Sequence, residues 1–150
     1  LNEITKDPKA PFIRAYSGNA GIIGNKELFA IGADVKTGRI REPLTVLITE
    51  GERAKRFGFT KGELERAKKR IMAWMTQAYK ERENTESAAF ASEYIRHFTE
   101  GESIPGIAFE YGMYDTYLPE IGLEEVNDLA GQKITYKNMV VMVSGQDKDE

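Results

Sequence analysis

Cysteine is absent from all 150 residues, and there is a single histidine, His97. The first absence excludes disulfides, thiolate zinc sites and cysteine nucleophiles, although it leaves the cell compartment open. The second leaves scattered carboxylates as metal donors, with too few nitrogen or sulfur ligands for a typical zinc site. No apolar run approaches the ~20 residues that a membrane-spanning helix needs, and the N-terminus lacks a signal-peptide pattern. Charge of one sign is lacking as well. A formal net charge of -3 points to neither nucleic acid nor an anionic membrane as the main partner. Internal repeats, low-complexity tracts and a second-domain linker are missing. So is an initiator methionine: Leu1-Asn2-Glu3-Ile4 reads as the end of an element, and a charged tail runs from Asp147 to Glu150. The expectation is a single domain over 1–150, excised from a larger protein.

What is present suffices for a core. Apolar residues make up 41% of the chain and aromatics 10%, which suits one domain of this length. The most informative stretch runs from Gly58 to Arg82. Thr60 is a good N-cap with Glu63 three residues on, the spacing of a capping box, and Phe59 and Leu64 flank it as a hydrophobic staple. Gly58 can close a preceding helix. Leu64, Ala67, Ile71, Trp74, Met75 and Ala78 then recur at helical spacing. This predicts one unbroken helix over Thr60–Arg82, tightly joined to the helix before it, with Trp74 mostly buried.

The rest of the chain reads as short alternating elements. Pro8 and Pro11 bracket an opening loop. Phe12, Arg14 and Tyr16 alternate with Ile13 and Ala15 as in a short strand, and Gly18 to Asn25 is turn-rich. Leu28 to Val35 is a second strand ended by Thr37-Gly38, with Gly32 a candidate bulge. Pro43, suited to a first helical position, opens a helix that uses Leu44, Leu47, Ile48, Gly51 and Ala54 and runs to Phe57. After the long helix, Asn84 or Thr85 caps a third, with Ala88, Ala91, Tyr94, Ile95 and Phe98 inward and a stop near Gly101. Pro105 opens a fourth with Ile107, Tyr111, Tyr114 and Leu118 inward. Leu123 to Ala130 makes a fifth, ending at Gly131. Met139 to Val143 is a continuous apolar run, the pattern of a strand buried on both faces. The fold class is therefore α+β, with a small, mostly antiparallel sheet and helices on one side.

The run Gly58-Phe59-Thr60 followed by Glu63-Leu64-Glu65-Arg66-Ala67-Lys68 resembles the G-F-T-x-x-E-L-E-R-A-K segment of the insulinase/pitrilysin family of zinc metallopeptidases, the inverzincins. Similar runs follow in order: Tyr79 to Arg82, Glu93 to Phe98, Gly101 to Ile107, Glu110-Tyr111, Leu118 to Ile121 and Leu123 to Asn127. The resemblance covers roughly Phe12 to Val143. It is to the non-catalytic second domain of long bacterial members. It implies the metallohydrolase fold of mitochondrial processing peptidase, and a domain that helps wall a peptide chamber beside a catalytic domain. Family members that cleave peptides hold Zn²⁺ through H-x-x-E-H and a distant Glu. With one histidine, that motif cannot exist here. The implied cofactor, zinc, belongs to the parent's catalytic domain and not to this segment. The implied partners are the parent's remaining domains and a peptide substrate. The compartment is left unassigned, with the periplasm favoured over the cytoplasm for a bacterial parent. The alternative is a structural or interaction domain of a family member that has lost its zinc site.

No catalytic or metal-binding residue is assigned, and the substrate-binding residues are left unassigned. His97, on a predicted helix between Arg96 and Phe98, reads as a surface or hydrogen-bonded structural histidine. Glu86 and Glu93 lie two helical turns apart within the carboxylate set Glu81, Glu83, Glu86, Glu93, Glu100 and Glu102. Without a desolvating pocket they read as a solvated face. The basic run Arg53, Lys55, Arg56, Lys61, Arg66, Lys68, Lys69 and Arg70 is interleaved with Glu52, Glu63 and Glu65, giving pairs such as Glu65 with Lys69 rather than a nucleic-acid footprint. Gly18 to Gly24 lacks a phosphate-binding pattern. Phe109, Tyr111, Tyr114 and Tyr117 could line a peptide groove, but their helical spacing favours core packing with hydroxyls at the rim.

Overall fold

The computed structural model describes residues 4, 7, 9–23, 26–36 and 39–145, apart from the side chains of 20–27. Leu1 to Glu3, Pro8, Gly24-Asn25, Thr37-Gly38 and the charged tail lie outside the described residues. The fold is α+β, a two-stranded antiparallel sheet followed by five helices among the described residues. The chain divides into two compact units, one of residues 1–20, 27–58 and 127–150, the other of 21–26 and 59–126. No helix among the described residues is long and apolar enough to cross a membrane.

Strands β1 (Phe12–Ile23) and β2 (Lys26–Val35) form the sheet. Arg14 bonds Asp34 at 3.0 Å, and the Tyr16 ring lies over Gly32. Two steps forward on one strand match two steps back on the other, which is the antiparallel register. β1 is longer than the sequence suggests. The stretch Gly18–Ile23, which reads as turns, is strand, and Gly18 and Gly21 lie within β1. Gly32 lies within β2 beneath the Tyr16 ring. A Cβ there would sit 2.5 Å from the Tyr16 ring, so the ring occupies the space that a side chain would need.

Helix α1 (Arg41–Phe57) begins two residues before Pro43. The Ile40 carbonyl already accepts from the Leu44 N–H at 3.1 Å, and a proline in the first turn loses no intrahelical bond. The missing side chain of Gly51 lets α1 approach β2 closely: a Cβ there would be 3.3 Å from Ile31 Cδ1. Phe12, Ala15, Pro43 and Ala54 are buried with it. Gly58, at φ 66°, ends α1 and donates to the Ala54 carbonyl at 2.9 Å.

Helix α2 (Lys61–Lys80) is unbroken, with both bonds of the Thr60–Glu63 capping box formed, but it ends short of the expected Arg82, which lies in a separate 3-10 turn, Arg82–Asn84. Met75 is fully buried, but Trp74 is 64% exposed. That corrects the expectation of a buried tryptophan. Consecutive helix residues point about 100° apart, and the packed side of α2 carries Met75 and Tyr79, leaving Trp74 outside it. Tyr79 stacks on Tyr111 of α4 (Ile107–Tyr117), with centroids 4.9 Å apart and an interplanar angle of 24°. Lys68 Nζ donates to the Pro119 carbonyl at 2.9 Å, in the 3-10 turn Leu118–Glu120 whose Leu118 is buried.

Helix α3 (Ser87–Glu100) starts after Glu86, later than either cap the sequence offers. The Thr85 hydroxyl bonds back to the Arg82 carbonyl and so does not cap the helix. Gly101, left-handed at φ 74°, closes it as expected. None of its expected inward residues is buried; Ala88, Ala91, Tyr94, Ile95 and Phe98 are all exposed. Helix α5 (Leu123–Lys133) continues through Gly131 instead of stopping there. Met139 to Val143 is not a strand. An apolar run becomes one only where an edge pairs with it, and β1 and β2 pair with each other alone.

Candidate functional site

A groove with both charged and aromatic lining residues lies within the second unit, between α2 and α4. It is open, about 280 Å³ in volume, and lined by Glu65, Lys68, Lys69, Met72, Tyr114, Asp115, Leu118 and Pro119. Glu65, Lys68, Lys69 and Met72 come from α2, Tyr114 and Asp115 from α4, and Leu118 and Pro119 from the turn after it. Such a surface can hold a segment of peptide by contact. It contains no nucleophile with an adjacent base. The aromatic set from the sequence is split by this arrangement. Tyr114 lines the groove, Tyr111 is covered by Tyr79, and Phe109 and Tyr117 are exposed. The sequence shows Lys68 and Lys69 as part of a charged run, with Lys69 spaced to pair with Glu65. Their place opposite Asp115 and Pro119 depends on contacts some fifty positions away, and local spacing carries no trace of that.

His97 is held structurally. Its Nδ1 lies 2.6 Å from the Glu102 carbonyl, just beyond the end of α3. Arg96 next to it bonds the Glu102 carboxylate at 2.5 Å, which raises the guanidinium pKa above its ordinary value. Together these two contacts fold the chain after Gly101 back onto the helix end. Glu86 is exposed at the start of α3 and Glu93 is half-buried, with no pocket joining them.

Two members of the basic run pair with carboxylates on α1, while Lys68 instead donates to the Pro119 carbonyl. Arg53 meets Glu50 at 3.0 Å and Arg56 meets Glu52 at 2.6 Å. Around Glu52 a small cluster forms within the first unit. The Tyr136 hydroxyl donates to the Glu52 carboxylate, and Lys55 Nζ sits 5.1 Å from the Tyr136 ring centroid. The hydrogen bond from Tyr136 is the largest cause holding the Glu52 carboxyl below its ordinary pKa, helped by Arg56 and Lys55. The same bond pushes the Tyr136 phenol up. This cluster fastens the segment after α5 to α1. It has the look of a clasp rather than a reaction centre.

Zinc does not fit this donor set. The chain has one histidine and no cysteine, fewer nitrogen and sulfur donors than a typical zinc site uses. Among the described residues no three His, Cys, Asp or Glu side chains converge on a point where a metal could sit.

Half of the chain is similar to a zinc protease. Over 75 residues, 50% of its length, it is 32% identical to the protein named "Zinc protease PQQL-like" from Arabidopsis thaliana. The chain spans 8% of that relative's length. No family model matches the chain, and no solved structure matches it.

Proposed function

We propose that this chain is a non-catalytic domain of a zinc metallopeptidase of the insulinase/pitrilysin kind. The observation that carries the reading is its 32% identity, over half its length, to a zinc protease-like protein. The ordered runs from Gly58 to Asn127 support it. The donor set fits the non-catalytic role, since two histidines for H-x-x-E-H cannot come from a chain with one. Zinc, the activated water and the attack on the peptide carbonyl belong to another domain of the parent. This domain contributes a wall of the chamber and support for its catalytic neighbour. Its partners are the remaining domains and the enclosed peptide.

Chamber walls act on catalysis through position. Contacts remote from the scissile bond hold it in line with the activated water, and losing them lowers turnover even when the metal ligands survive. Deleting Phe12–Val143 from a parent with an intact H-x-x-E-H is therefore expected to abolish peptide turnover. Zinc content measured on the same preparation separates this loss from misfolding. A folded, zinc-loaded deletion variant that cleaves at the parental rate would instead favour a structural or interaction role.

A further inference from the structure

Two apolar stripes on consecutive helices of the second unit are left exposed. On α3, Phe90, Tyr94 and Phe98 recur every fourth residue and are 44, 58 and 88% exposed. On α4, Phe109, Met113 and Tyr117 do the same at 60, 42 and 53%. At about 100° per residue, this second stripe lies on the side of α4 away from Tyr111, which stacks on Tyr79 of α2. A helix that is apolar on two sides calls for cover on both. The stripes are also in register with each other. About the midpoint of the connection 101–106, Phe98 is placed symmetrically with Phe109, Tyr94 with Met113, and Phe90 with Tyr117. An antiparallel pair of helices sets such positions level with one another, and a connection of this length is enough to join one.

We propose that α3 and the connection 101–106 form a hinged arm that closes onto α4 as an antiparallel helical hairpin. Each stripe is then the cover of the other. Their matched register selects that occupant, and both stripes belong to one compact unit. The connection is built to turn. Gly101 and Gly106 have φ of 74° and 79°, and a Cβ at either would meet nothing within 4 Å. Glycine enters and leaves that backbone region without a steric penalty. Arg96 and His97 strap Glu102 to the end of α3, so the start of the connection moves with α3 and Gly106 is the pivot. The first turn of α4 has no side-chain cap for a swing to break. At the other end of α3, Thr85 and Glu86 are extended, and this helix too starts without a side-chain cap. Closing sets Phe90, Tyr94 and Phe98 against Tyr117, Met113 and Phe109, and removes from water the kind of aromatic surface that dominates packing energy.

Introduced thiols can report the closure cleanly, because the chain has no cysteine of its own. Phe90→Cys with Tyr117→Cys puts a pair on the two stripes, at the end far from the pivot. Ser92→Cys with Tyr117→Cys is the control, since two residues on, the first thiol lies on the opposite side of α3. A disulfide forms only where the Cα atoms come within about 7 Å. With oxidised glutathione as oxidant, the stripe pair is expected to crosslink within one chain at least about tenfold faster than the control. In the unaltered chain, a nuclear Overhauser contact between the Tyr94 ring and the Met113 methyl is expected. A stripe pair no faster than its control would overturn the proposal, and so would absence of the Tyr94–Met113 contact. Crosslinks that join two chains and grow with concentration would overturn it too, by giving the stripes to a second copy. None of these readouts uses peptide turnover, so the arm and the chamber role stand or fall separately.

Discussion

A methyl group added at Gly58 would lie 2.5 Å from Asn127 Cγ, on a backbone already at φ 66°. Both faults act at once, because the left-handed conformation strains an L side chain and the Asn127 carboxamide blocks its path. Gly58→Ala is expected to destabilise the chain by about 1–3 kcal/mol, read as a lower urea midpoint with an unchanged slope. A midpoint that stayed put would mean the turn between α1 and α2 relaxes freely. Tyr136 offers a second residue-scale test. Its hydrogen bond lowers the Glu52 pKa, so the folded state releases that proton more readily than the unfolded one. The stabilisation is full above the unfolded carboxylate value and lost as pH falls through the lowered folded one. For the phenol the sign reverses. Its pKa is raised, so the contribution is present below the unfolded value and lost as pH rises through the folded one. Tyr136→Phe is expected to move the Glu52 titration upward in an NMR pH series. An unmoved midpoint would place the cause with Arg56 and Lys55.

Within elements, what could be read from the sequence was what local spacing decides. The capping box of α2 is legible because Thr60 and Glu63 satisfy each other three residues apart whatever else the fold does. The left-handed Gly101 is legible for the same reason. Choosing the buried member of the pair Trp74–Met75 is different, since the two lie one step apart and only the placement of α4 decides between them. The Tyr79–Tyr111 stack is a long-range contact of that kind. The stripe of α3 shows the opposite limit: its periodicity is real, yet a stripe says which face seeks cover and not that cover is present. A test of α2 follows from its packed face. Met75→Ala is expected to cost about 2–5 kcal/mol as a core truncation, whereas Trp74→Ala is expected to cost far less. Trp74 fluorescence should be red-shifted and open to iodide quenching. A blue-shifted, protected tryptophan would restore the inward placement that its spacing suggests.

At the scale of the whole molecule, the metal question turns on ligand supply. A structural zinc takes four donors, commonly histidine and cysteine, and a catalytic zinc keeps three with one position open. His97 is the only nitrogen donor of this kind in the chain. Carboxylates alone make a poor zinc site, and those of the described residues do not converge. The supply of histidine and cysteine was legible from composition, because counting them needs no fold. The groove beside Lys68 and Lys69 was not, because α2 and α4 must meet before it exists. The isolated chain is therefore expected to hold no stoichiometric zinc after dialysis, and its thermal midpoint should not move when zinc is added. Elemental analysis with a melting curve at matched concentrations checks both. One tightly held zinc per chain, with a melting temperature that a chelator lowers, would show that the chain builds a metal site from donors that the described residues do not bring together. It would also move the metal chemistry of the parent into this domain.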